Sequence, residues 1–463
     1  MTVPYAAIGV LFSLLSHSVF AQHEPVEDKK DSSSLLSVFR NGKTEGHFRY
    51  FFMTTDNKKG LTDYHAHAAG GGLCYATAGF HGFRLGIGGF FIFNTGSSDL
   101  VKTDPSTQQV NRYEIGLFDI ENPSNKNDID RLEELYLSYS WKKNSVVLGK
   151  QIINTPFINP QDGRMRPTGV EGIWLKTKTG TAKIDGGLLW GISPRSTVRW
   201  FNIGQSIGIY PQGVNESGKP SDYKEHISSN FIGIIGISYP VSSRLKIQLW
   251  EQLTQQVSNT ILLQADQQFG ENKEEHYYAA VQTIIQHSIK NGGNHDPAHT
   301  YMPKGNNAVS FGARLGWKEK HQDISFNYTR ITQQGRYLMP REWGRDPFFT
   351  FLPRERNEGF GDLDAWMLQY KKQFGESGFQ LYTGMGYYQL PDVLNTRLNK
   401  YGMPSYTQLN IELQYHFNGL LKGTQAQLLY VYKGQEGDSH NNDKYVINKV
   451  NASLFNLILN YRF

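Results

Sequence analysis

At 463 residues the chain is long enough for two or three ordinary domains or for one large closed sheet, and it carries 13% aromatic residues and 47 glycines but only 38% hydrophobic residues. A mean hydropathy of −0.49 and the lack, beyond the N-terminus, of any run of about 20 apolar residues exclude a helical membrane protein. A formal charge of +5 with no Lys/Arg run argues against a nucleic-acid partner, and the single cysteine, Cys74, excludes an intramolecular disulfide.

In chain order, residues 1–21 read as a secretory signal: an apolar stretch from Tyr5 to Leu15, then Val19-Phe20-Ala21 as the cleavage site. Residues 22–45 are polar and charged, and are expected to form a periplasmic extension with little core of its own. From 46 to 463 the pattern changes to segments of roughly ten residues with period-two alternation and aromatic ends. That is the signature of a transmembrane β-barrel, whose strands need only about 9–11 residues with every second one facing lipid.

The alternation places eighteen strands near 46–55, 66–78, 82–94, 132–141, 144–151, 168–177, 181–190, 229–239, 242–252, 258–266, 276–284, 307–317, 321–331, 363–373, 377–387, 405–416, 423–433 and 450–462. Tight links such as Lys142-Lys143 alternate with long ones at 95–131, 191–228, 285–306, 332–362 and 434–449. Short turns on one side and long loops on the other fit an outer-membrane barrel, with the long loops outside. In the last segment Phe455, Leu457, Leu459, Tyr461 and Phe463 share one face, and barrels of this kind commonly close with such a strand, which makes Phe463 the expected assembly signal. Cys74 and the glycine runs Gly70-Gly71-Gly72 and Gly86-Ile87-Gly88-Gly89 lie inside strand patterns and read as packing and curvature.

With the aromatic or aliphatic parity toward lipid, Arg49, Arg84, Lys246, Arg314, Lys371 and Arg462 project into the lumen as a basic track. Fixed positive charge on a pore wall offsets the hydration an anion loses on entering a narrow passage. Two loop segments mix arginine, carboxylate and proline, a composition suited to a stiff, hydrogen-bonded constriction. The first runs from Lys150 through Thr155-Pro156, Asp162, Arg164 and Arg166 to Glu171; the second holds Arg341, Arg345, Asp346, Arg354, Glu355, Arg356 and Glu358. Their arginines read equally as gate residues or as forks that pin the loops to the wall. The carboxylates Asp162, Glu171, Asp346, Glu355 and Glu358 either attract the amino end of a substrate or pair with those arginines.

The strand Gly46-His47-Phe48-Arg49-Tyr50, the first of these loops (Gly149-Lys150-Gln151, Thr155-Pro156, Asp162-x-Arg164-Met165-x-Pro167, Glu171-Gly172), the segment Arg356-Asn357-Glu358-Gly359 and the terminal Phe463 together resemble the OprD-type substrate-specific porin family over nearly the whole mature chain. The resemblance implies an eighteen-stranded barrel whose third and seventh loops, here 152–167 and 332–362, fold into the lumen. It also implies a ladder of basic side chains guiding a carboxylate past an acidic or carbonyl-lined pocket, and a monomer or loose trimer.

His295-Asp296-Pro297-Ala298-His299 and His65-Ala66-His67 lie in or beside loops and read as solvated chemistry, so no metal and no cofactor is expected. The expected function is passive, selective diffusion of small carboxylates or amino acids, with an oligosaccharide or general diffusion porin as the alternative and a barrel enzyme as the rival from another class. Expected partners are outer-membrane lipids and lipopolysaccharide, a small-molecule permeant and the barrel-assembly machinery.

Overall fold

The computed structural model describes residues 34–161, 163–270, 272 and 274–463. The secretory signal at 1–21 and most of the polar extension lie outside them. A short helix, α1 (Leu35–Arg40), precedes the strands β1 (Lys43–Asp56), β2 (Tyr64–Ala76), β3 (Phe83–Ser97), β4 (Ile129–Trp141), β5 (Asn144–Gln151), β6 (Gly169–Thr179), β7 (Ala182–Ser193), β8 (Phe201–Asn202), β9 (Ile232–Pro240) and β10 (Leu245–Thr254). There follow β11 (Ser258–Phe269), β12 (His276–Ser288), β13 (Asn307–Glu319), β14 (Gln322–Ile331), β15 (Leu363–Gln373), β16 (Phe379–Gln389), β17 (Tyr406–His416), β18 (Thr424–Gln435) and β19 (Ala452–Arg462).

Each strand pairs antiparallel with its neighbours, and β1 pairs with β19 from His47↔Arg462 to Asp56↔Ser453, which closes the sheet. β7 pairs directly with β9, so the two-residue β8 is an addition at the loop end of β7 rather than a barrel stave. The remaining eighteen strands are the barrel, one for each expected segment. Closure leaves no sheet edge unpaired, which a strand structure in hydrocarbon requires.

The end of the polar extension is more ordered than its composition suggests. Ser34 and Ser37 form a reciprocal capping box at the start of α1. Val38 is buried and its carbonyl oxygen accepts from the Ala78 amide at 3.0 Å, while the Tyr75 hydroxyl donates to the Phe39 carbonyl at 2.5 Å. β1 accordingly begins at Lys43, three residues before the expected start.

The outer surface is apolar where a water-soluble protein would be polar. Phe48, Phe91, Leu137, Ile235, Leu263, Val281, Phe311, Leu315, Phe326, Leu368, Met385 and Leu459 all stand exposed on it, a continuous band of the kind that marks a membrane face. Aromatic pairs rim the band: Phe83–Tyr139 (4.6 Å between centroids) and Phe379–Tyr415 (4.5 Å) at the short-turn end, Tyr328–Trp366 (5.7 Å) and Trp366–Tyr387 (5.8 Å) at the long-loop end. At the C-terminus the Phe463 ring stacks on Phe48 and Tyr461, and its backbone exchanges hydrogen bonds with Gly46.

Long loops fold inward and build the interior against the wall. Phe157, Ile158, Tyr337, Trp343 and Phe348 pack with Trp174, Leu189, Ile284 and Leu363 of the strands. On the other side, Ile115, Leu117, Phe118 and Met165 pack with Phe51, Met53, Phe90 and Leu454. The wall accommodates them with glycine: a Cβ at Gly70 would lie 3.0 Å from the Met165 methyl and 2.4 Å from the Phe91 carbonyl oxygen. The inward course of loop 98–128 has no counterpart in the expected constriction, which drew on loops 152–167 and 332–362 alone.

Candidate permeation site

The inward loops are fastened to the barrel by directed polar contacts. Arg131 on β4 makes a two-pronged pair with Glu133, at 3.0 and 2.6 Å. The same guanidinium reaches the Pro167 carbonyl at 2.8 Å, the Ser193 hydroxyl at 2.6 Å and the Pro194 carbonyl at 2.8 Å. One arginine thus fixes two loops to one strand, the use for which its planar five-donor fork is suited. Loop 332–362 is tied in turn: Gln286 and Leu338 exchange two hydrogen bonds of 2.8 Å, Tyr388 donates to the Thr350 carbonyl at 2.7 Å, and Gln408 to the Pro353 carbonyl at 2.8 Å. Loops 152–168 and 332–362 also bind each other through Asn159, whose side chain contacts the Arg345 backbone at 3.0 Å both ways.

Between the loops lies a cavity of about 640 Å³ lined by Arg112, Arg164, Arg195, Arg341, Arg354, Arg356, Lys400, Lys444 and Lys449, with Glu355 as its one lining carboxylate among the described residues. Arg164, Arg195 and Arg354 crowd around Gly163, where an added Cβ would sit 3.3 Å from Arg195 Nη1 and 3.4 Å from Arg354 Nη1. Neutral oxygens hold these side chains: Arg164 donates to the Gly163 carbonyl (2.6 Å), Arg195 to the Gln161 carbonyl (3.2 Å), Arg354 to Asn456 Oδ1 (3.0 Å) and Arg356 to Gln161 Oε1 (2.5 Å). Among the described residues none of the four forms an ion pair, and Nε of Arg164, Arg195 and Arg354 is buried without a protein acceptor.

Burial, with the charges of Arg195 and Arg354, pushes the Arg164 guanidinium well below its ordinary range; burial and Arg195 push Arg354 down to about 10. A guanidinium keeps its proton in a protein, so these side chains stay charged in a buried setting crowded by like charge. Arg354 also sits at φ +82°, in the left-handed region, a conformation costing about 1–3 kcal/mol that persists only where the surroundings impose it.

Glu355 is committed elsewhere. It lies 3.0 Å from Arg112, 3.3 Å from Lys433 and 3.5 Å from Arg341. Burial raises its carboxyl, but Arg112, Lys433 and Arg341 outweigh burial and hold it down to about 2. Glu358 pairs with Arg341 and accepts from the Tyr401 hydroxyl at 2.8 Å. Asp346 accepts from the amides of Asn357 (2.7 Å) and Glu358 (3.1 Å), and burial pushes its carboxyl up to about 6.

A second cavity, of about 270 Å³, lies against the wall below and is lined by Gln248, Gln264, Gln282, Arg314, Arg345, Asp346 and Gln369; Phe351 lines both cavities.

Arg49, Arg84, Lys246, Arg314, Lys371 and Arg462 all share the inward parity of their strands. Arg49 is buried and donates to Asn460 at 2.7 Å and to the Arg164 carbonyl at 2.6 Å. Arg314 donates to Asn327 at 2.5 Å and lies 4.4 Å from the Phe349 ring centroid, whereas Arg462 is exposed at the short-turn rim.

Lys150 requires a correction. It stands across the ladder from Leu135, an exposed outer-face side chain, and pairs with Glu171 beneath the Trp200 ring, 4.3 Å from its centroid. Lys150 follows Leu148 by two residues, so strand alternation puts both on the outer face and removes Lys150 from the constriction. Arg166 lies in the constriction loop but behind it, 1% exposed, 3.6 Å from Glu133 and donating to the Ile129 carbonyl at 3.2 Å. It is a fork. Asp162 lies outside the described residues. The sequence reading missed Arg112, Arg195 and Lys400 as members of the cavity, since each lies in a loop outside the two segments it singled out.

No family model and no curated protein matches the chain. Solved structures do. OccAB3 of Acinetobacter baumannii superimposes with a TM-score of 0.70 at 15% identity, over 92% of this chain and 99% of that one. OccAB2 of the same organism gives 0.71 at 13%, again over 92% and 99%. OpdK of Pseudomonas aeruginosa, solved with vanillate, gives 0.68 at 12% with the same coverage. At such identities the likeness speaks to architecture, and the chain has the closed eighteen-stranded barrel fold of these porins.

Proposed function

We propose that the chain is an outer-membrane porin that passes small anions, carboxylates foremost, by passive diffusion through the loop cavity. The observation that carries this reading is the group Arg164, Arg195, Arg354 and Arg356, lining one cavity and held, among the described residues, by neutral oxygens alone. A permeating carboxylate supplies the counter-charge these groups lack, and regains there the hydrogen bonds it leaves in water. The apolar outer band and the fold shared with porins support the membrane location, as does the vanillate in the OpdK structure for the substrate class, vanillate being a carboxylate. The inward parity of Arg49 and Arg314 supports a role as approach residues. No covalent step is needed, and residues 1–21 and Phe463 serve export and assembly.

A simple carboxylate fits better than an amino acid. Glu355, the one described carboxylate in the lining, is already shared among three cations, which leaves no uncommitted carboxylate among the described lining residues for an ammonium group.

The test is planar-bilayer recording of the refolded chain across a KCl gradient, with benzoate or arginine added on the loop side. Anion selectivity and saturable block by benzoate, both reduced in Arg195→Gln and Arg354→Gln, are expected. Cation selectivity, or conductance indifferent to benzoate, would overturn the reading.

A further inference from the structure

Outside the cavity, the loop after β7 and the loop after β12 bring together three donors, two from the first loop and one from the second. Asp222, His226 and His299 each present a ligand atom within 4.8 Å of the other two. The His226 and His299 rings lie 4.0 Å apart, tilted by 31°, and His299 Nδ1 is 3.4 Å from Asp222 Oδ2. The backbone already fixes the two loops together here. The Ser228 amide donates to the Gly293 carbonyl at 2.8 Å, Asn294 to the His226 carbonyl at 2.7 Å, and His299 Nδ1 meets the Asp222 carbonyl oxygen at 2.7 Å.

The geometry points to a transition-metal site of the two-histidine, one-carboxylate kind, with zinc as its natural occupant. Tetrahedral zinc with nitrogen and oxygen ligands at about 2.0–2.1 Å draws donors to roughly 3.3 Å from one another, which rotation of these side chains supplies because all three are at least partly exposed. Two imidazoles select zinc or copper over magnesium or calcium. His299 Nδ1 is already held by the Asp222 carbonyl oxygen at 2.7 Å, which fixes the ring from outside as the partner of a metal-bound imidazole does and leaves Nε2 to ligate. Three protein ligands leave one position for water, so the site binds reversibly at the surface. Its neighbours matter to the cavity: Tyr223 and Tyr301, each within a few residues of a ligand, pack against the Lys400 ammonium at 4.9 and 4.8 Å. A metal clasp across the two loops would steady that wall. This inference is independent of what the pore carries.

The experiment uses the full untagged chain refolded in detergent, freed of metal by a chelator and titrated with zinc against a chromophoric competitor. One equivalent bound at micromolar affinity is expected, unaffected by excess magnesium. His226→Ala, His299→Ala and Asp222→Asn should each weaken binding by about 100-fold or more, beyond the loss an outer-shell partner causes, while the double change His65→Ala, His67→Ala leaves it intact. Heat-modifiable gel mobility reports that each variant is a folded barrel, and the cobalt-loaded wild type gives a tetrahedral ligand-field spectrum without any variant. A wild type that binds no stoichiometric zinc, or binding that survives all three substitutions, would overturn the site.

Discussion

The Arg49 guanidinium on β1 donates to the carbonyl oxygen of Arg164 at 2.6 Å, so one arginine of the wall sets the backbone of an arginine in the cavity. Arg49 is held by Asn460 on β19, at 2.7 Å, and the contact therefore runs from the seam that closes the barrel to the loop that narrows it. The arginine of the passage is thus placed by hydrogen bonds that start at the barrel seam.

Arg49→Ala should release loop 152–168 without removing a charge from the upper cavity. Loss of hydrogen bonds to a charged group costs about 1.5–3 kcal/mol, and the thermal midpoint of the refolded barrel should fall. Single-channel current should rise and become noisier, with anion preference largely retained. An unchanged current trace would show that the loop keeps its position without Arg49.

Lys400 gives the pore a pH dependence. Burial pushes its ammonium down to about 8, where Tyr223 accepts its hydrogen bond at 3.0 Å. An amine is charged below its pKa and neutral above it, so anion selectivity should be high at neutral pH and decline through a step near about 8. Reversal potentials measured across that range in wild type and Lys400→Met provide the check: the step should vanish in the variant. A step of equal size in both would assign the titration to another group.

Lys150→Gln is the counterpart. Because Lys150 and Glu171 pair on the outer face, the substitution should leave ion selectivity and benzoate block at wild-type values. Any change would come through refolding yield. A clear loss of anion preference would return Lys150 to the lumen.

The strands were legible because lipid imposes a strict period of two, and Phe455, Leu457 and Leu459 display it without help from the rest of the fold. The inward parity of Arg49 and Arg314 followed from the same alternation. The same alternation, carried two residues on from Leu148, turns Lys150 outward, although the loop motif around it points inward. Arg112, Arg195 and Lys400 belong to three different loops, and their meeting depends on how those loops fold inward, which no local period encodes. Asp222, His226 and His299 are a stronger case: His299 drew notice for its spacing from His295, yet its neighbours come from another loop, and His295 instead contacts Asn291 at 2.8 Å.

The acid response of the interior should be governed by Glu355. An unfolded glutamate titrates near about 4.3, whereas the folded carboxyl is held down to about 2 by Arg112, Lys433 and Arg341. A depressed carboxyl adds stability that is complete above the unfolded value and is lost as pH falls toward the folded one. The difference corresponds to about 3 kcal/mol. Glu355→Gln should therefore lower the unfolding midpoint at neutral pH, and by more than that linkage figure, because Arg112, Arg341 and Lys433 keep their charges without a partner; breaking a buried pair costs about 3–5 kcal/mol. The gap between wild type and variant should narrow steadily below about pH 4 as the wild-type carboxylate takes up its proton. Unfolding midpoints followed by gel mobility along a pH series make the comparison. A gap that stays constant to the lowest pH would mean that Glu355 acts through packing rather than charge, and the cavity would then lack the internal counter-charge that leaves its other arginines to the permeant.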